Sequence, residues 1–113
     1  MPSRFLRELD RRVIVFDGSM GATIQSMTLD VQRDYLGREN CVDILVRSRP
    51  DIIQSLHEGF LAAGADVVET DTFGANKLVF AEFDQELVGW TYAINKQAAE
   101  IARAACGKFT TND

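Results

Sequence analysis

Two short stretches of the chain carry the side chains best suited to chemistry. Asp17-Gly18-Ser19-Met20-Gly21 joins a carboxylate to glycines that permit a tight turn, and the helix start that follows favours an anion. Glu69-Thr70-Asp71-Thr72-Phe73 joins a second carboxylate to a pair of hydroxyls and an aromatic wall. Acids take an ammonium and backbone N–H groups take a carboxylate, so the two stretches together suit a zwitterion. They describe an amino-acid pocket lined by Asp17, Gly18, Met20, Gly21, Glu69, Thr70, Thr72 and Phe73. The same pattern also allows Asp17 and Thr70 to be plain cap and turn residues. An acid/base pair is a third reading, for which the sequence supplies neither distance nor pKa. A dinucleotide site fits less well, because Gly18-x-x-Gly21 lacks the GxGxxG spacing.

The remaining reactive side chains read as structural. His57 lies one turn from Ile53 and three residues from Phe60, beside an apolar helical stripe and remote from the strand ends, which is the place of a hydrogen-bonded core histidine. Cys41 falls in a long connection with no base near it in sequence, and Cys106 ends an Ala-rich helix. With the cysteines 65 residues apart and no CxxC spacing, neither a disulfide framework nor a self-contained zinc site is indicated.

The elements that must position the two acidic stretches alternate in type. A short amphipathic helix with Arg4, Arg7, Arg11 and Arg12 on a solvated face precedes Val13-Ile14-Val15-Phe16, an apolar run that reads as a strand buried on both faces. A helical turn over 20–27 follows, then an irregular polar connection over 28–47. Ser48-Arg49-Pro50-Asp51 signals a helix start with Ser48 as cap, Ile53, Leu56 and Phe60 with Ile52 form its buried stripe, and Gly64 closes it. Val67-Val68-Glu69-Thr70 reads as a second strand, followed by helices over 77–83 and 86–106, the latter with Ile94, Ala98, Ile101 and Ala105 on one side. Strand, helix, strand in this order predicts parallel pairing, with Asp17 and Glu69 converging at neighbouring strand ends about 4.8 Å apart. Two parallel strands do not make a finished sheet, and a third would be due at Thr111-Asn112-Asp113. The expectation is the opening of a larger α/β domain.

Composition narrows the class. The 113 residues, 46% hydrophobic and 26% charged, suffice for one domain's core and no more. A net charge of −5 without a cluster of cations argues against nucleic acid as a partner. No apolar run reaches the roughly 18 residues of a membrane span, and residues 1–12 lack a signal peptide's apolar stretch, so a cytoplasmic protein with no membrane partner is expected.

At this level of detail the motifs resemble a known family. The run from Asp17 to Gln25, Glu39-Asn40-Cys41 with Asp43-Ile44-Leu45, Arg49-Pro50-Asp51, and Ala62 to Asp66 leading into Glu69 to Asn76 are similar, in order and spacing, to the homocysteine S-methyltransferase domain. The likeness is nearest to the amino-terminal module of cobalamin-dependent methionine synthases and spans about residues 5–106. It implies that residues 1–113 are the N-terminal part, about two strands, of a (β/α)8 TIM barrel. It implies homocysteine as substrate, zinc to ionise the homocysteine thiol, and a methyl group from 5-methyltetrahydrofolate by way of methylcobalamin, bound in downstream folate- and cobalamin-binding domains. The zinc-ligand cysteines would come from late strands outside this chain, and these residues alone would be inactive. Asp17 and Glu69 would hold the substrate ammonium, the loop from Gly18 to Gly21 would shape that end of the pocket, and Thr70, Thr72 and Phe73 would line it. Asp71 stands where the family usually has Asn, placing a further negative charge by the pocket, and Val42 replaces a polar residue. Two alternatives remain open: a free-standing homocysteine methyltransferase with a betaine or sulfonium donor, and an inactive remnant that serves as a folding or interaction unit.

Overall fold

The longest helix shows how the sequence pattern becomes a core. Ile94, Ala98, Ile101 and Ala105 recur at spacings of three and four, and all are buried along one side of a helix that runs Thr91–Gly107, joined there by Ala102. The computed structural model describes residues 3–110, so the third strand expected at residues 111–113 lies outside the described residues. Among the described residues the order is α1 (Arg4–Arg11), α2 (Met20–Gln25), a 3-10 turn (Val42–Ile44), α3 (Leu45–Ser48), α4 (Pro50–Ala62), α5 (Lys77–Ala81), α6 (Gln85–Gly89) and α7 (Thr91–Gly107). α4 packs along α7, and α3 wedges against both. Ile24, Ile44, Leu45, Ile53, Phe80, Leu87 and Ile94 are fully buried between these helices.

The two apolar runs expected as strands do run side by side and parallel, bridged at Phe16 and Val67. The Val67 N–H donates to the Val15 carbonyl at 3.2 Å and the Asp17 N–H donates to the Val67 carbonyl at 3.0 Å. Beyond this single bridge no extended strand is formed among the described residues. The expectation of burial on both faces is also corrected: Val13 is 82% exposed, and Val15 and Phe16 are about half exposed. A pair of two runs leaves both outer edges unpaired, and parallel pairing without further strands is marginal.

Gly64 turns the chain into the second of these runs. Its φ of +112° ends α4 in a Schellman arrangement, in which the Ala65 N–H donates to the Phe60 carbonyl and the Gly64 N–H to the Leu61 carbonyl. Asp66 then accepts from the Val15 N–H and from Arg12, which also bonds Glu8, so α1 is tied to the start of the pair.

Three other expectations are corrected. The connection over 28–47, expected to be irregular and polar, buries Asp34, Tyr35, Cys41 and Asp43 and holds the 3-10 turn and most of α3. Ser48 does not cap α4. Its hydroxyl donates to the Asp34 and Ile44 carbonyls, while Arg49 takes the cap position without a side-chain bond. The helix expected over 86–106 is interrupted at Trp90, whose indole receives the guanidinium groups of Arg38 at 5.1 Å and Arg47 at 4.5 Å.

Candidate functional site

Asp17 follows the first run of the parallel pair and Glu69 the second, so the pairing alone makes them neighbours. A hydrogen bond fixes the approach: the Glu69 N–H donates to Asp17 Oδ2 at 3.1 Å. Around them lies a cleft of about 360 Å³ lined by Asp17, Gly18, Met20, Gly21, Val42, Glu69, Thr70, Asp71 and Phe73. Of the eight residues singled out from the sequence, seven line this cleft. The eighth, Thr72, bonds to one of them: the Thr70 and Thr72 hydroxyls lie 2.6 Å apart. Phe73 is fully exposed at the rim, an apolar side chain held out to solvent.

The loop from Gly18 to Gly21 differs in detail from the tight turn its glycines suggest. Neither glycine has a positive φ. A Cβ at Gly18 would meet the Phe60 ring at 3.3 Å, so this position is small because α4 passes close behind it. Gly21 is already helical, in α2, whose first turn is capped by the Ser19 hydroxyl accepting from the Ala22 N–H. The N–H groups of Met20 and Gly21 open that helix and have no carbonyl within it to bond. Met20 and Gly21 both line the cleft.

Behind the cleft lies a buried acidic pair that residue types alone did not pick out as a unit. Asp71 lines the cleft and Asp43, from the 3-10 turn, sits beneath the loop after Glu69. Burial pushes Asp71 up to about 8, helped by the charge of Asp43, and burial likewise pushes Asp43 up to about 6 against the N–H bonds it accepts from Gly74 and its own backbone. Val42, which looked peripheral, is part of the lining. The signal for Asp43 lay in the Asn40-Cys41-Val42-Asp43 stretch of the family motif, but nothing in the sequence said that it would meet Asp71.

His57 is fully buried on α4, and neither ring nitrogen has a partner in the protein, which corrects the expected hydrogen-bonded role. Burial lowers its pKa and the charge of Asp17 opposes that shift, so His57 is within electrostatic reach of the cleft and not remote from it. Cys41 is buried, and desolvation raises its thiol to about 11. That is the environment of an inert thiol and not of a nucleophile. No group of three or more His, Cys, Asp or Glu side chains among the described residues could hold a metal ion, so the zinc implied by the family does not fit the residues present.

A second, larger cleft of about 720 Å³ lies at the other end of the parallel pair, between α1 and the end of α7. Its acids are committed: Glu8 binds Arg11 and Arg12, and Asp66 binds Arg12 and the Val15 N–H. In the cleft at Asp17 and Glu69 neither carboxylate is paired with a cation, and only Asp17 Oδ2 is engaged, by the Glu69 N–H.

Comparison with known proteins agrees with the motifs. The family model for homocysteine S-methyltransferase matches residues 14–113. The chain belongs to the homocysteine S-methyltransferase family. It is 36% identical over 108 residues to a methionine synthase of Mycobacterium leprae (strain TN), and 42% identical over 105 residues to a methionine synthase of Mycobacterium tuberculosis (strain ATCC 25618 / H37Rv). Those alignments cover 96% and 93% of the chain and 9% of each relative, so the chain spans about a tenth of the length of these methionine synthases. Among the described residues no helix is long and apolar enough to cross a membrane.

Proposed function

We propose that these residues bind the amino-acid end of homocysteine in an enzyme that methylates its sulfur to give methionine. The observation that carries the reading is the convergence of Asp17 and Glu69 on one cleft, fixed by the bond from the Glu69 N–H to Asp17 Oδ2. That bond occupies one oxygen of Asp17 and leaves the other, with the whole Glu69 carboxylate, to receive an ammonium. Met20 and Gly21 offer N–H groups to the substrate carboxylate, and the Thr70 and Thr72 hydroxyl pair stiffens the loop between the acid and the Phe73 rim. The chain's part in the reaction is to hold and orient one end of the substrate, so that the thiol at the other end points out of the cleft. Orientation of this kind converts a bimolecular encounter into a positioned one.

In this reading the parallel pair opens a (β/α)8 barrel, and the acids sit at the carboxyl ends of its first strands, where such barrels place their ligands. The methyl donor is 5-methyltetrahydrofolate acting through cobalamin, in a cytoplasmic enzyme. Zinc, which supplies an ionised thiol when bound, and cobalamin belong to parts of the protein other than these residues. The test is calorimetric titration of the purified protein with L-homocysteine and with 4-mercaptobutanoate, which keeps the thiol and carboxylate but lacks the amine. Binding of the first and loss of the second supports an ammonium site at Asp17 and Glu69; equal affinity for both removes it.

A further inference from the structure

Asp43 and Asp71 are 5% and 4% exposed, and Asp43 Oδ1 and Asp71 Oδ2 have no hydrogen-bond partner in the protein. Two carboxylates in such a place can both be ionised only if a cation or a set of donors offsets their lost hydration and mutual repulsion. The groups around them do not provide one. Asp43 receives backbone N–H groups, one of them from Gly74, and the charge felt by Asp71 is that of Asp43. From the connection, Tyr35 and Cys41 are neutral, kept so chiefly by burial. Arg38 acts on Cys41, but its guanidinium is committed to Asp84 and Glu86. Asp17 and Glu69, across the cleft, add only negative charge, His57 on α4 is kept neutral by burial, and Lys77 on α5 is exposed.

The loop after Glu69 rests directly on this pair. A Cβ at Gly74 would lie 2.7 Å from Asp43 Oδ2, so only a glycine lets the backbone come down onto that carboxyl. We propose that Asp43 and Asp71 retain one proton between them at neutral pH, and that this proton keeps the loop over 71–75 docked on the turn that carries Asp43. The pair positions the wall of the cleft without touching a ligand. Its loss of the proton sets two like charges against each other under the loop, which moves outward and takes Thr72 and Phe73 away from Asp17 and Glu69. The inference does not depend on which ligand the cleft takes.

The experiment is an NMR titration of the full chain from pH 5 to 9, following aspartate side-chain carboxyl carbons and exchange of the Gly74 and Ala75 amides, in the unsubstituted protein, Asp71→Asn and Asp43→Asn. The expected result is one carboxyl of the pair titrating above pH 6, at least about 100-fold less acidic than an ordinary aspartate. Protection of the two amides should fall about tenfold further than base catalysis of exchange explains. Asp71→Asn, which supplies a permanent amide donor in place of the proton, should hold protection constant across the range, and Asp43→Asn gives the same comparison from the other side of the pair. Both carboxyls titrating in the ordinary range, a loop equally protected at pH 6 and 9, or an unchanged pH dependence in either variant would each overturn the proposal.

Discussion

Glu69→Gln and Asp17→Asn remove the same charge from the same cleft, yet the structure says they should behave differently in one respect. Glu69 makes no side-chain hydrogen bond among the described residues, whereas Asp17 Oδ2 accepts from the Glu69 N–H and so ties the two runs of the parallel pair together. For affinity the two variants are alike. Each replaces a charge-assisted contact to the ammonium with a neutral one, costing about 1.5 to 3 kcal/mol, or roughly 10- to 150-fold in the dissociation constant. For stability they diverge. Glu69→Gln should leave unfolding unchanged, while Asp17→Asn keeps an accepting oxygen for the Glu69 N–H but weakens it, costing about 0.5 to 1 kcal/mol. Asp17→Ala loses the acceptor altogether and should cost about 1 to 2 kcal/mol. Calorimetric titration with homocysteine and denaturant unfolding of the same preparations read the two quantities separately. Unaltered affinity in both Glu69→Gln and Asp17→Asn would refute the assignment of the site. Equal destabilisation by both would refute the claim that Asp17 alone has a structural duty.

Three further outcomes follow from the titrating groups. Asp71 holds its proton in the folded chain up to about pH 8 and gives it up near 4 when unfolded, so folding stability falls as pH rises between those values. Asp71→Asn removes that slope and should raise stability at pH 7 by about 4 kcal/mol, seen as a higher denaturant midpoint with an unchanged m-value; a lower midpoint would mean the carboxylate is ionised and paired. Asp34 has the opposite sign: the Asp30 N–H and the Arg49 guanidinium depress it, so its contribution is complete above the ordinary aspartate range and is lost as pH falls below it. Asp34→Asn should flatten the acid limb of a thermal-unfolding profile, and an acid limb identical to that of the parent would remove the role. Cys41, buried and raised to about 11, should resist alkylation at pH 8 until the chain unfolds, while half-buried Cys106 reacts in the folded state. Peptide mass mapping of labelled protein distinguishes them, and equal labelling of both would show that Cys41 is accessible.

The parallel approach of Phe16 and Val67 was readable because two short β-branched runs separated by a helix admit few other arrangements. The α7 stripe and the Gly64 stop were readable because each depends on residues within one turn of one another. The core formed by the connection was not. Its apolar members Tyr35, Cys41, Ile44, Leu45 and Val46 are interleaved with charges that look solvated in sequence, but Asp34 is paired with Arg49 and Arg38 with Asp84, across 15 and 46 residues. Once those charges are neutralised at long range, the segment between them can be buried. The break at Trp90 has the same origin, since the two arginines that stack on its ring come from the connection. Similarly, the shift of α4's buried face toward His57, with Leu56 and Phe60 only half-buried, follows from α7 packing along it and not from its own periodicity.

In the proposed reading the cleft holds a zwitterion, and this sets a charge problem that the acidic pair helps to solve. Three carboxyl groups, those of Asp17, Glu69 and Asp71, line it, and three ionised acids would repel the substrate carboxylate as strongly as they draw in its ammonium. Glu69 is exposed and Asp17 half-buried at the ends of the parallel pair, whereas Asp71 is buried with Asp43 near it and is held neutral. Neutrality at Asp71 leaves Asp17 and Glu69 as the acids of the lining to which the proposed reading assigns the ammonium. A neutral carboxylic acid at position 71 also presents one donor and one acceptor, as the carboxamide of an asparagine would. Asp71→Asn should therefore keep the hydrogen-bonding character of the loop without its dependence on a proton, costing the cleft nothing at neutral pH and changing only its response to alkali.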